Sequence, residues 1–261
     1  MNAAGRAHRL VPAPPPHDRA LNGKHEHDLI ARGIAVHRVK GHEMSDNTAS
    51  SPAAGAGGYD WRRERKAGML AIAVSAALAA LLWFGVACFS PPISGMDPVG
   101  ARMVFALKCC CLAALFCLAL GVEAVAHERL QSAAFDPLAE QGTRRLRVNL
   151  RYLQNTLEQF ILFAAGLFGL ALYSPGGEAM RAVLATAIVW VVSRFAFWIG
   201  YHRSAAMRGA GAPGMMVSLL VLLYVGTRIG FDIAGAAGAG AIVIAFLLIE
   251  ALLFWKTRAS A

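Results

Sequence analysis

Arg151, Asn155 and Glu158 stand just ahead of the apolar run 160–173, and they recur at spacings of four and three. At about 100° per residue they share a narrow arc of one helix, with Arg147 and Gln154 at its edges. A guanidinium, an amide and a carboxylate placed where lipid should begin are costly unless paired, so this face is by default a hypothesis of a functional site. Continued along the helix, the same face carries Leu162, Ala165, Gly166 and Gly169, mostly small residues that let another helix come close. The following apolar segment adds Arg194 and, seven positions on, Tyr201, again on one face. Glu158 lies as far inside Arg151 as Arg194 lies inside Tyr201, which at ~1.5 Å per residue puts both roughly 10 Å deep. The spacing therefore predicts a Glu158 to Arg194 ion pair, which neutralises two charges that are expensive alone. Taken by themselves, these residues fit a ligand site and a polar lock between helices equally well.

The elements that must hold them are apolar helices. The chain has 261 residues, 57% hydrophobic and 16% charged, which excludes an ordinary soluble domain. Runs able to cross a hydrocarbon layer, about 20 helical residues each, recur along most of it. The predicted spans are 68–89, 103–126, 149–173, 181–201, 215–229 and 235–255. Lys and Arg fall almost entirely on alternate connections: Arg62, Arg63, Arg65, Lys66, Arg129, Arg144, Arg145, Arg147, Arg203, Arg208, Lys256 and Arg258 lie on one side, and only Arg102, Arg181 and Arg228 on the other. That asymmetry predicts a six-span, all-α membrane protein with both termini cytoplasmic, and the setting expected is a bacterial inner membrane. The net charge of +9 is accounted for by topology and by membrane lipids with anionic headgroups, so no nucleic-acid partner is expected.

Residues 1–60 are rich in Pro, Ala, Gly, Ser and His without a hydrophobic period, and read as a disordered tail. Met44 opens an ordinary-looking start, so the true beginning is expected there. The irregular histidines His17, His25, His27, His37 and His42 are expected to belong to a solvated tail rather than to a metal site. Cys88, Cys109, Cys110, Cys111 and Cys117 all lie in apolar runs and are expected to pack as small hydrophobes rather than form disulfides or bind metal.

Arg151-x-x-x-Asn155-x-x-Glu158 followed by apolar residues, with Arg194 and then Gly200-Tyr201 at the end of the next span, resembles the MAPEG superfamily, the membrane proteins of eicosanoid and glutathione metabolism. The resemblance covers about residues 101–230. It implies a four-helix core, with one additional helix on each side in 61–100 and 231–261, and a homo-oligomer, usually a trimer. Glutathione, as cosubstrate, would be bound at the cytoplasmic side between protomers by Arg151, Gln154, Asn155, Glu158, Arg194 and Tyr201. The implied activity is that of a glutathione-dependent transferase or peroxidase acting on lipophilic electrophiles. A non-catalytic member that keeps the bundle and binds a thiol or lipid is the alternative, and a transporter a third reading. The chain departs from the pattern at Gln154, where active members carry a basic residue, and at Phe197, where some carry histidine. It departs again in 209–216, which lacks the arginine and hydroxyl found there in many members. Arg208 and Arg203 are the candidate catalytic replacements.

Overall fold

A computed structural model describes residues 61–136 and 142–259; the expectations of a disordered 1–60 and of a start at Met44 lie outside the described residues. Among the described residues, five helices are long and apolar enough to cross a membrane. They are α1 (Trp61–Phe89), α2 (Val99–Leu130), α3 (Arg144–Leu172), α4 (Gly176–Arg203) and α5 (Ala212–Ala259). Local chemistry sets their ends. α2 follows Pro98 and α4 follows Pro175, whose fixed φ suits the residue before a helix. α3 is capped by Thr143, whose Oγ1 accepts from the Leu146 N–H at 3.0 Å.

The last helix is not straight. Ala234 leaves helical geometry, and Gly235 has φ +61° and ψ −146°, a conformation that little but glycine adopts. Beyond it the chain turns back on itself. A Cβ on Gly230 would lie 2.6 Å from the Gly238 carbonyl oxygen, and one on Gly226 would lie 3.4 Å from Ile242. Both pairs are centred on residue 234, and a straight helix would hold residues eight apart at about 12 Å. α5 is thus an antiparallel hairpin with arms 212–233 and 236–259. The separate segments expected at 215–229 and 235–255 are these arms, joined with hardly any loop.

The core forms where α2, α3 and α4 meet, around Phe163 stacked on Trp190 with ring centroids 4.5 Å apart. Cys109, Cys110 and Cys117 pack within it, and all the cysteines of 61–259 are free thiols. No cluster among the described residues could hold a metal ion. α5 lies against α3 through the small residues anticipated there: a Cβ on Gly169 would come 2.6 Å from Val225, and Gly166 faces Val221 and Leu222. Leu162 and Ala165, further round that face, stay exposed. α1 buries no residue. It leans on α4, where the Trp83 indole N–H donates to Thr186 Oγ1 at 3.1 Å, and an apolar cavity of about 650 Å³ lies between α1, α4 and α5.

At the end of the bundle away from the basic connections, the few cations are engaged rather than loose in loops. Arg102 is buried and donates to the Leu172 carbonyl at 3.2 Å, satisfying an orphan acceptor at the end of α3. Arg181 pairs with Glu178 at 3.3 Å, and Arg228 lies 5.4 Å over the Tyr173 ring. The Tyr173 hydroxyl donates to Asp232 at 2.6 Å, and that hydrogen bond raises its pKa above the ordinary phenol range.

Candidate ligand-binding site

The site stands at the basic end of the bundle, and a layer of aromatic and amide contacts fixes α3 against α2 and α4 beside it. Tyr152 is fully buried, and its hydroxyl donates to the Cys117 carbonyl at 3.0 Å. That carbonyl lies in a π-helical stretch, Ala114–Ala119, where the usual ladder is interrupted and a backbone acceptor is released. The Tyr152 ring stacks on Trp198 at 4.8 Å and 13°. Trp198 donates its indole N–H to Asn149 Oδ1 at 2.9 Å, and His202 Nε2 meets the same oxygen at 2.9 Å. An indole can only donate, so Asn149 must present its oxygen and His202 must carry its proton on Nε2.

With the register held there, Asn155 and Arg194 come together. Arg194 is 1% exposed. One guanidinium nitrogen, Nη1, donates to Asn155 Oδ1 at 3.0 Å, and Nη2 donates to the Gly211 carbonyl at 2.8 Å. The guanidinium also lies over the Phe197 ring, 5.1 Å from its centroid. Because Arg194 has only donors to offer, it forces Asn155 to turn its oxygen inward. Gln159 donates Nε2 to that same oxygen at 3.1 Å, which leaves Gln159 Oε1 buried and without a partner among the described residues. The amide orientations thus follow from one fixed charge.

The expected ion pair between Glu158 and Arg194 is not formed. Glu158 accepts instead from Gln154 Nε2, one turn back on its own helix, at 3.2 Å. The reason is cost: the neutral acceptors Asn155 and Gly211 take the two terminal nitrogens of the buried guanidinium, Nε having no partner among the described residues, and Glu158 keeps its charge exposed instead of adding a second buried ion.

Gly211 reaches Arg194 because glycines permit the approach. The turn Met207–Gly211 folds back on α4 so closely that a Cβ on Gly200 would strike the Met207 carbonyl, and one on Gly211 would strike Phe197. The same turn carries Arg208 to the site.

A cavity of about 380 Å³ results. Arg151, Gln154, Asn155, Glu158, Arg194 and Tyr201 all line it, and so does Arg208. Arg203 does not. Gln159, Phe197, Gly209, Ala212 and Met215 complete the wall. Gln159 was within reach of sequence reasoning, since it stands four residues from Asn155 on a helix and so neighbours it. The cavity therefore mixes three arginines with a carboxylate, side-chain amides and a phenol. It suits a ligand that carries anionic groups together with N–H donors.

Fold and site together define an all-α, multi-pass membrane protein with a polar cavity near one end of its bundle. Residues 104–231 match the MAPEG family model, and through this core the chain belongs to the MAPEG family. α1 and the second arm of α5 lie outside the match. No curated protein and no solved structure gives a match.

Proposed function

We propose that this cavity binds glutathione and that the protein is a glutathione-dependent membrane transferase or peroxidase acting on lipophilic electrophiles. The observation that carries the reading is the convergence of Arg151, Arg194, Asn155 and Glu158 on one cavity. A tripeptide with two carboxylates, an ammonium group and amide N–H donors matches that set, and about 380 Å³ falls within the 300–1,000 Å³ typical of small-molecule sites. Arg151 offers a planar fork for a carboxylate. Glu158 accepts from an ammonium group. Bound there, the tripeptide supplies a thiol that is nucleophilic as its thiolate. Arg208 supplies the positive charge and Tyr201 the hydroxyl that would stabilise such an anion, and Arg203, away from the cavity, has no part in it.

The apolar cavity supports a lipophilic second substrate. Pro213 and Met216 face it from the first turns of α5, whereas Ala212 and Met215 face the polar cavity. A compound dissolved in the bilayer thus reaches within about one helical turn of the site. The basic end faces the cytoplasm, so the hairpin gives six spans with both termini there, in a bacterial inner membrane. Arg151, Gln154, Glu158, Leu162 and Ala165 are exposed on the single chain, and further copies in a homo-oligomer, a trimer by family likeness, would cover that face.

Glutathione titration of purified wild type and of Arg208→Ala tests the proposal through ultraviolet absorbance of the thiolate and thermal protection. Wild type is expected to show both signals, and Arg208→Ala to keep the protection and lose the thiolate. Protection without thiolate in wild type would favour the non-catalytic alternative, and the absence of both would end the glutathione reading.

A further inference from the structure

We infer that α1, outside the family core, belongs to the site and that its Glu64 is a positioning residue for Arg208. The inference rests on the reading of Arg208 as the cation that stabilises thiolate. The turn Met207–Gly211 has two sides. Arg208 and Gly209 line the polar cavity on one side and, on the other, a second cavity of about 350 Å³ whose far wall is the start of α1, including Glu64, Arg65 and Gly68. α1 touches the turn at backbone level: a Cβ on Gly209 would lie 2.9 Å from the Gly68 carbonyl oxygen and 3.0 Å from Ile72. Glu64 stands one turn before Gly68, on the same face of α1. Its Oε2 is buried and has no partner among the described residues.

A carboxylate oxygen in that state is costly unless a donor reaches it. Arg208, exposed on the opposite wall, has a flexible stem long enough to serve either cavity. Arg65 borders the same cavity, but adjacent residues on a helix point about 100° apart, so it does not face Glu64. The two are not paired with each other as they stand; when Arg208 swings to Glu64 it is held toward α1 with its charge offset, and the balance between the two positions sets how much positive charge the ligand cavity receives.

The test uses the full chain with Glu64→Gln, Glu64→Asp, Arg208→Ala and the double variant Glu64→Gln/Arg208→Ala, with Arg65→Ala as a control. The pH titration of bound glutathione's thiolate absorbance is the readout. Removing the carboxylate should give about tenfold more thiolate at a given pH below the midpoint, the size expected when a neighbouring charge changes. Glu64→Asp should stay near wild type, Arg65→Ala should do nothing, and the Glu64→Gln effect should vanish once Arg208 is alanine. An effect that persists in the Arg208→Ala background, or none in wild type, overturns the inference. A second arm needs no ligand: in reversible unfolding in mixed micelles, Glu64→Gln and Arg208→Ala should be non-additive, and strict additivity overturns the contact. Non-additivity in a protein that binds no glutathione would uphold the pairing and instead overturn the ligand assignment.

Discussion

Replacing Asn155 by leucine, close in size and without hydrogen-bonding groups, removes the acceptor of Arg194 Nη1 and leaves that nitrogen facing apolar surface. Hydrogen bonds to charged groups contribute about 1.5 to 3 kcal/mol. Arg194 has a second acceptor in Gly211, but the Gln159 amide loses its acceptor too, so with about 0.5 to 1.5 kcal/mol for that neutral bond the total loss should be about 2 to 4.5 kcal/mol. Arg194→Met keeps the stem and removes both bonds and the stacking on Phe197, a loss on the scale of a broken buried polar pair, about 3 to 5 kcal/mol. In the double variant the Asn155–Arg194 bond is lost only once. Its destabilisation should fall short of the sum by about 1.5 to 3 kcal/mol, within the range known for residues in contact. Reversible unfolding in mixed detergent micelles of wild type, the two singles and the double measures this. A parallel cycle with Glu158→Gln and Arg194→Met should be additive to within about 0.5 kcal/mol, because Glu158 bonds to Gln154 instead. If Glu158 couples strongly to Arg194 and Asn155 does not, the account of how this buried guanidinium is satisfied is wrong.

Arg151→Ala should weaken glutathione binding by about 1.5 to 3 kcal/mol, roughly 10- to 150-fold, with almost no change in unfolding, since Arg151 is exposed on α3; calorimetric titration beside a melting curve separates the two. Gly235→Ala should destabilise the fold by about 1 to 3 kcal/mol, the cost of forcing a side chain into that backbone region, whereas Gly240→Ala, with open space around it, should be near neutral. A C-terminal green fluorescent protein fusion should fluoresce and a C-terminal alkaline phosphatase fusion should be inactive; the opposite pair of results would invert the orientation proposed above.

The helical character and membrane class of the chain were legible because hydrophobic run length is a strong signal. Arg151, Asn155, Glu158, Arg194 and Tyr201 could be grouped because helical spacing and depth are simple arithmetic. What spacing did not reveal was the partner of Arg194. Gly211 serves through its backbone carbonyl, an acceptor that every residue possesses, and it arrives only because glycines let the turn press onto α4. Charge complementarity therefore points to Glu158, whereas the guanidinium takes an amide and a peptide group. The contribution of α1 was hidden for a related reason: no heptad or charge pattern marks the place where Gly68 meets Gly209, and the unpaired oxygen of Glu64 becomes visible only once the second wall is in place. The hairpin was half legible, since the break was foreseen near Gly235 but not that two residues suffice to make it.

That tight turn bears on how the protein enters its membrane. With almost no connecting loop, the arms 212–233 and 236–259 have no slack to insert one after the other, so biogenesis should deliver them as a unit, the seam of Gly226, Gly230 and Gly238 already closed. On the six-span topology proposed above, the leading tip carries Arg228 and Asp232 through the hydrocarbon, where single charges cost about 2.5 to 3.5 kcal/mol each. Their spacing of four places the two on one helix face, where each partly neutralises the other in transit. Once across, Arg228 settles over Tyr173 and Asp232 accepts from its hydroxyl, so one tyrosine at the end of α3 receives both charges and anchors the tip on the far side.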